Sequence, residues 1–114
     1  MRIKSDIFVS SIVRRCFADG APAVIEKKGD ASAGAIYFRI LFRDRAQSLY
    51  APVPQSFVND ENPNDERYFE MRLDHVPEFE VSEYLAREMN FDGDIWIVEL
   101  ETNNPDSYFN VVEL

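Results

Sequence analysis

The chain has 114 residues, 46% of them hydrophobic and 29% charged, with a formal net charge of −9, one cysteine and one histidine. That size and composition fit one domain, residues 1–114, which buries its core without staples. They exclude a membrane-spanning helix, since apolar runs such as Ile95-Trp96-Ile97-Val98 fall far short of the roughly 20 residues a bilayer requires.

The first element is a helix over Ser5–Asp19. Phe8, Val9, Ile12, Val13, Cys16 and Phe17 recur at helical spacing and form its apolar stripe. Ser5 suits the N-cap, Asp6 suits the positive helix start, and Gly20 suits the end. Pro22 stops the helix, and Ala23–Lys28 reads as a strand. Gly29–Gly34 is a turn of small residues, with glycines suited to the positive φ of a hairpin.

Ala35–Arg43 is the clearest strand, with Ile36, Phe38, Ile40 and Phe42 alternating with Tyr37, Arg39, Leu41 and Arg43. Asp44–Gln47 is a turn. Ser48–Val53 is a short strand whose Pro52 and Pro54 suggest an edge. Phe57–Glu66 reads as a loop. Arg67–Leu73 is a strand with Phe69, Met71 and Leu73 inward.

A second helix runs from an N-cap at Ser82 to Asn90, with Val81, Leu85 and Met89 on one face and Glu83 placed to pair with Arg87. Asp94–Glu101 is apolar on both faces and reads as a central strand. Asn103–Asp106 is a turn, and Tyr108–Leu114 has enough apolar residues for a last short strand. The order α-β-β-β-β-α-β predicts an α+β domain: a mostly antiparallel sheet of about five strands with two helices on one face.

Charge is distributed unevenly. Residues 1–45 carry 9 basic and 5 acidic side chains, and residues 46–114 carry 3 and 16. The acidic total disfavours a general nucleic-acid binder, although the basic first half leaves that reading as an alternative. The single thiol excludes an internal disulfide. Ile7–Val13 is interrupted by Ser10 and Ser11 and met by Arg14 and Arg15, unlike a secretory signal. Together these features point to a cytoplasmic protein.

The residues that carry chemistry are sparse. Cys16 follows two arginines, which would favour a thiolate, but it sits within the apolar stripe. His75 must serve any Cys–His or Ser–His mechanism, with adjacent Asp74 as the one candidate orienting group. One cysteine and one histidine do not make a structural zinc site. Asp60, Asn62 and Asn64 match the start of a calcium loop, but Asp65 stands where glycine is required and Met71 where glutamate is required. Gly29 and Gly34 have P-loop spacing, but Ala35 and Ile36 replace the lysine and hydroxyl residue. Lys27 and Lys28 leave a small anion-binding option at that turn. No metal or cofactor is implied. Tyr37, Arg39, Tyr68 and Arg72 are the candidate binding residues on the outer sheet face, with Arg14 and Arg15 on the first helix, because tyrosine and arginine favour interfaces.

Arg2-Ile3-Lys4-Ser5-Asp6-Ile7, Arg14-Arg15-Cys16, Gly29–Ile36, Tyr50-Ala51-Pro52-Val53-Pro54-Gln55 and Phe91–Glu99 together resemble domain-of-unknown-function family 1491, from Arg2 to Glu101. In that family's pattern proline is frequent where Gly93 stands. The resemblance implies a small, single-domain bacterial cytoplasmic protein and supplies no catalytic residue. The sequence therefore leads to a non-enzymatic binding or protein-interaction domain that self-associates. The alternative is a small enzyme or ligand-binding protein using Cys16, His75 and the acidic loop.

Overall fold

The structure is a computed structural model that describes residues 3–54 and 67–113. The Asn59–Glu66 loop and its calcium-like positions lie outside the described residues. Helix α1 (Ser5–Ala18) leads to strands β1 (Ala23–Lys27), β2 (Ile36–Leu41), β3 (Gln47–Pro52) and β4 (Tyr68–Val76). Helix α2 (Glu78–Phe91), strand β5 (Trp96–Glu101), a 3-10 turn (Pro105–Ser107) and strand β6 (Asn110–Val111) complete the chain.

The α+β class stands, and the sheet has six strands in the order β1-β5-β2-β3-β4-β6. It is mixed, because β2/β5 and β4/β6 are parallel while the other neighbours are antiparallel. The central place expected for β5 is confirmed. The edge place expected for β3 is not, since β3 lies between β2 and β4. Its Pro52 is the last strand residue, so few ladder bonds are affected.

The two helices lie on opposite faces, not on one. Ile36, Phe38 and Ile40 pack with Val9, Ile12 and Cys16 under α1. Tyr37 packs with Val81 and Leu85 under α2. Alternation along β2 therefore feeds two cores rather than one core and a wet face. Phe109 in the C-terminal segment stacks on Phe38 at 4.2 Å and meets Phe69 edge-on at 5.1 Å, which fastens the tail to the α1 core. Phe17 leaves the predicted stripe and is exposed.

Two further differences have local causes. Helix α2 starts four residues before Ser82, with Pro77 as its cap, a position where no N–H is missed. Glu78 and Glu80 then fill the positive first turn. Arg87 turns onto the Tyr84 ring at 5.8 Å, and no Glu83–Arg87 ion pair occurs among the described residues. In β4, Tyr50 pairs with Met71 but Leu49 pairs with Leu73, so a bulge at Arg72 adds a residue. Phe69 consequently points to the α1 core and Leu73 to the α2 core. Met71, expected inward, is exposed.

Gly29–Gly34 is not a hairpin turn. Strands β1 and β2 flank β5, so this segment crosses over the start of β5. The Asp30 N–H bonds the Asp94 carbonyl at 2.9 Å, and the Trp96 indole N–H bonds the Asp30 carbonyl at 2.8 Å. The same segment caps α1, since the N–H groups of Ser5 and Asp6 bond the carbonyls of Ser32 and Ala31 at 3.3 and 3.0 Å.

Candidate functional site

The residues singled out from the sequence fall into two sets. Tyr37, Arg39 and Arg72 belong to the α2 side of the sheet, and Arg14 and Arg15 to helix α1. Arg39 is 6% exposed. Its Nη1 donates to Gln47 Oε1 and Ser82 Oγ, each at 3.3 Å. Its Nε lies 3.4 Å from Glu26 Oε1, close enough for attraction but not aligned as a hydrogen bond. Arg72 pairs with Glu70 at 2.7 Å. Tyr68 is half-buried opposite Asn110. Arg15 donates to the carbonyls of Tyr108 and Ser107 and lies over the Tyr108 ring. Arg14 is exposed. Most of this set is engaged in holding the fold, and it does not converge on one cleft.

The groups of the alternative reading are also apart in their bonding. Cys16 is buried, and its thiol is pushed up by that burial despite the opposing pull of Arg15. His75 Nε2 instead bonds Asp44 Oδ2 at 2.7 Å. Lys27 Nζ bonds the carbonyls of Gly93 and Ile95 at 2.6 and 3.1 Å, and its charge serves the β5 entry. Among the described residues no group of three His, Cys, Asp or Glu side chains is placed to hold a metal, and no helix is long and apolar enough to cross a membrane.

The site with unusual geometry is elsewhere, at the carboxyl ends of the parallel pair β2/β5. Open α/β sheets commonly bind ligands at such strand ends. The β2–β3 turn is closed by Arg45 N–H to Phe42 O at 3.0 Å and Phe42 N–H to Ala46 O at 3.1 Å. Arg45 has φ 74°, and neighbouring His75 has φ 54°. These are the only two non-glycine residues with positive φ among those described, and each such backbone costs roughly 1–3 kcal/mol.

Both strained residues belong to one cluster. Ser48 Oγ accepts the His75 N–H at 2.9 Å, Asp44 holds the ring, and Phe42 packs on it at 4.8 Å. The Asp44 carboxyl lies below its usual range because the Ala46 N–H bonds it and His75 adds to that.

Two cavities open on either side of this end, and both are lined by Leu41, Arg43 and Glu101. The one on the α1 side, about 320 Å³, adds Asp19, Asn103 and Tyr108. The one on the α2 side, about 380 Å³, adds Arg45, Gln47 and Glu78. Arg43 and Arg45 are exposed and form no ion pair among the described residues, whose pairs are Arg39–Glu26, Arg72–Glu70 and His75–Asp44. A broader groove of about 900 Å³ past Tyr50, Met71 and Val112 has neither an unpaired cation nor a strained residue. Arg43, Arg45 and Glu101 carried no signal in the sequence beyond membership of a turn and a strand end.

Two tyrosines report on how the cores close. The Tyr108 hydroxyl donates to Asp19 Oδ2 at 2.7 Å, and that bond, with burial, pushes its pKa up to about 12. Burial, then the charge of Glu88, pushes Tyr37 up to about 12 as well. The folded state thus holds both protons more tightly than the unfolded chain, whose tyrosines titrate near 10. Their contribution is complete below pH 10 and is lost as pH rises through 12, at about 2 kcal/mol for each tyrosine. Urea unfolding between pH 8 and 12 is expected to show this fall, and Tyr37→Phe and Tyr108→Phe each to flatten it.

Comparison with known proteins agrees with the architecture. The chain is similar to the protein Atu0922 from A. tumefaciens in its solution structure, at 46% identity and a TM-score of 0.86, covering 100% of this chain and 98% of that one. It is similar to the crystal structure of a DUF1491 family protein from Caulobacter crescentus CB15, at 27% identity and a TM-score of 0.77, covering 99% and 100%. No match occurs among the curated proteins. The family model described as "Protein of unknown function (DUF1491)" matches residues 3–110. The motifs quoted from Ser5, Gly29–Gly34 and Asp94–Trp96 meet at the capped start of α1 and the β5 entry, and the chain belongs to the DUF1491 family.

Proposed function

We propose that the protein is a non-enzymatic binding domain that takes a carboxylate-bearing segment of a protein partner at the β2–β3 turn. One observation carries this reading: two left-handed non-glycine residues stand at one corner, beside the guanidiniums of Arg43 and Arg45, which form no ion pair among the described residues. A glycine at position 45 would relieve the backbone, so an arginine held there favours a role for the side chain. Guanidinium groups match carboxylates with two parallel hydrogen bonds. Glu101, Glu78 and Asp19 on the cavity walls oppose a polyanion such as nucleic acid and favour a ligand with one or two negative charges. Burial of Cys16, the one thiol, is in keeping with work in the reducing cytoplasm.

The test is selection of random peptides on the wild-type protein, followed by binding to the Arg43→Ala/Arg45→Gly variant. Selected peptides are expected to be rich in Asp and Glu and to lose at least about tenfold in affinity on the variant, since each charged hydrogen bond contributes about 1.5–3 kcal/mol. Arg45→Gly alone is expected to leave stability unchanged or raise it by up to about 1 kcal/mol, because relief of the left-handed strain offsets the added chain entropy. Peptides without acidic residues, or equal binding to the variant, would sink the proposal.

A further inference from the structure

The outward side of α1 carries two exposed large apolar residues where a surface helix is ordinarily charged. Ile3, Ile7 and Phe17 are 50%, 54% and 64% exposed. Ile7, Ser10, Arg14 and Phe17 follow spacings of three, four and three, which is one stripe on the side away from Val9, Ile12 and Cys16, and Ile3 lies in the extended segment just before the helix. Arg14 is the single charged residue on that stripe. Scattered exposed apolar residues are unremarkable on a monomer, but an aligned set with an arginine has the make-up of an interface.

Ser10 is near the middle of the stripe, with Ile7 on one side and Arg14 and Phe17 on the other. We infer that α1 pairs with α1 of a second copy, antiparallel, across a two-fold axis near Ser10. In that arrangement the segment before α1 of each copy, with Ile3, approaches the Phe17 end of the other, and the aliphatic stem of Arg14 covers Ile7. The small side chains of Ser10 and Ser11 allow close approach at the crossing.

Charge favours this occupant. Asp6 stands beside Ile7 in the first turn, so the antiparallel crossing brings each Asp6 towards the Arg14 of the other copy, twice by symmetry. The opposed helix dipoles add to this. A 14-residue helix is about 21 Å long, so the contact falls in the small, transient class. The inference does not depend on the β2–β3 turn.

Sedimentation equilibrium of the full chain from about 10 µM to about 1 mM tests it, a range suited to interfaces of this class. The average mass is expected to rise from one chain towards two and to stop there. Arg14→Glu, which sets like charges against Asp6, is expected to weaken the dimer at least about fivefold, with unfolding midpoints checking that the variant folds. Ser10→Cys is expected to form a disulfide-linked dimer on mild oxidation, since buried Cys16 does not compete. A strict monomer at about 1 mM overturns the inference. So does growth beyond two chains, the mark of α1 docking on the acidic α2 of the next copy, or a dimer in which Ser10→Cys fails to cross-link. Arg43→Ala/Arg45→Gly is expected to dimerise like the wild type, so the two proposals fail separately.

Discussion

Gly29→Ala is expected to cost about 3 kcal/mol or more, enough to leave a small domain largely unfolded. An added Cβ would stand 2.0 Å from the Asp94 carbonyl oxygen and 2.6 Å from the Ile95 carbonyl carbon. Both atoms are backbone, so no side chain can turn aside. Moving them would break the Asp30 N–H bond to Asp94 and displace the start of β5, which pairs on both sides. Gly34→Ala meets the same carbonyl at 2.5 Å. Gly93→Ala is the control: its Cβ would meet nothing within 4 Å, and its effect is expected to stay within about 0.5 kcal/mol. Urea unfolding of the three variants checks the order.

Arg39→Ala is expected to cost about 3 kcal/mol at pH 7, because removing one partner of a buried charge group leaves the others uncompensated. Glu99 is paired with Arg39 across β5 and β2. Its carboxyl is pushed up by burial and by Glu26, and Arg39 alone among its causes pulls it down. A raised carboxyl pKa means the folded state prefers the neutral form. That preference contributes fully below the ordinary value and is lost as pH rises through the folded one. Without Arg39 the Glu99 pKa rises further and the loss grows. The deficit is therefore expected to be largest at pH 7 and to shrink towards pH 4, where the carboxylates take up protons. Arg39→Ala/Glu99→Gln is expected to recover part of the stability at pH 7. Unfolding curves of the wild type, Arg39→Ala, Glu99→Gln and the double variant at both pH values decide this.

Much of the candidate site could not be read from the chain. The Asp44–Gln47 turn was visible, because Asp is a turn residue and two strands flank it. The strain was not. The usual sign of positive φ is glycine or asparagine, and the residues here are Arg45 and His75. His75 takes its conformation from Ser48 and Asp44, which are 27 and 31 positions away. Tyr37 and Arg39 read as an outer face because strand alternation does not say what covers a face, and α2 covers them. Of the inward set, Phe69 and Leu73 are covered, but by different helices, because the bulge at Arg72 shifts the alternation by one residue and pairing with β3 decides that shift, while Met71 is left exposed.

What depends on near neighbours is legible in the chain. Periodicity set α1 and the strands, and the apolar run Ile95–Val98 placed β5 inside the sheet. Length and composition set one domain, the order of the elements set the α+β class, and the joined motifs set the family. The tertiary structure decided everything that requires distant segments to meet. It inserted β5 between β1 and β2, put the helices on opposite faces, and made Gly29 and Gly34 a matter of clearance from Asp94 rather than of positive φ. The physical reason is range. Backbone preference and side-chain period act over a few residues, whereas strand order and packing clearance depend on contacts that exist only after the chain has folded.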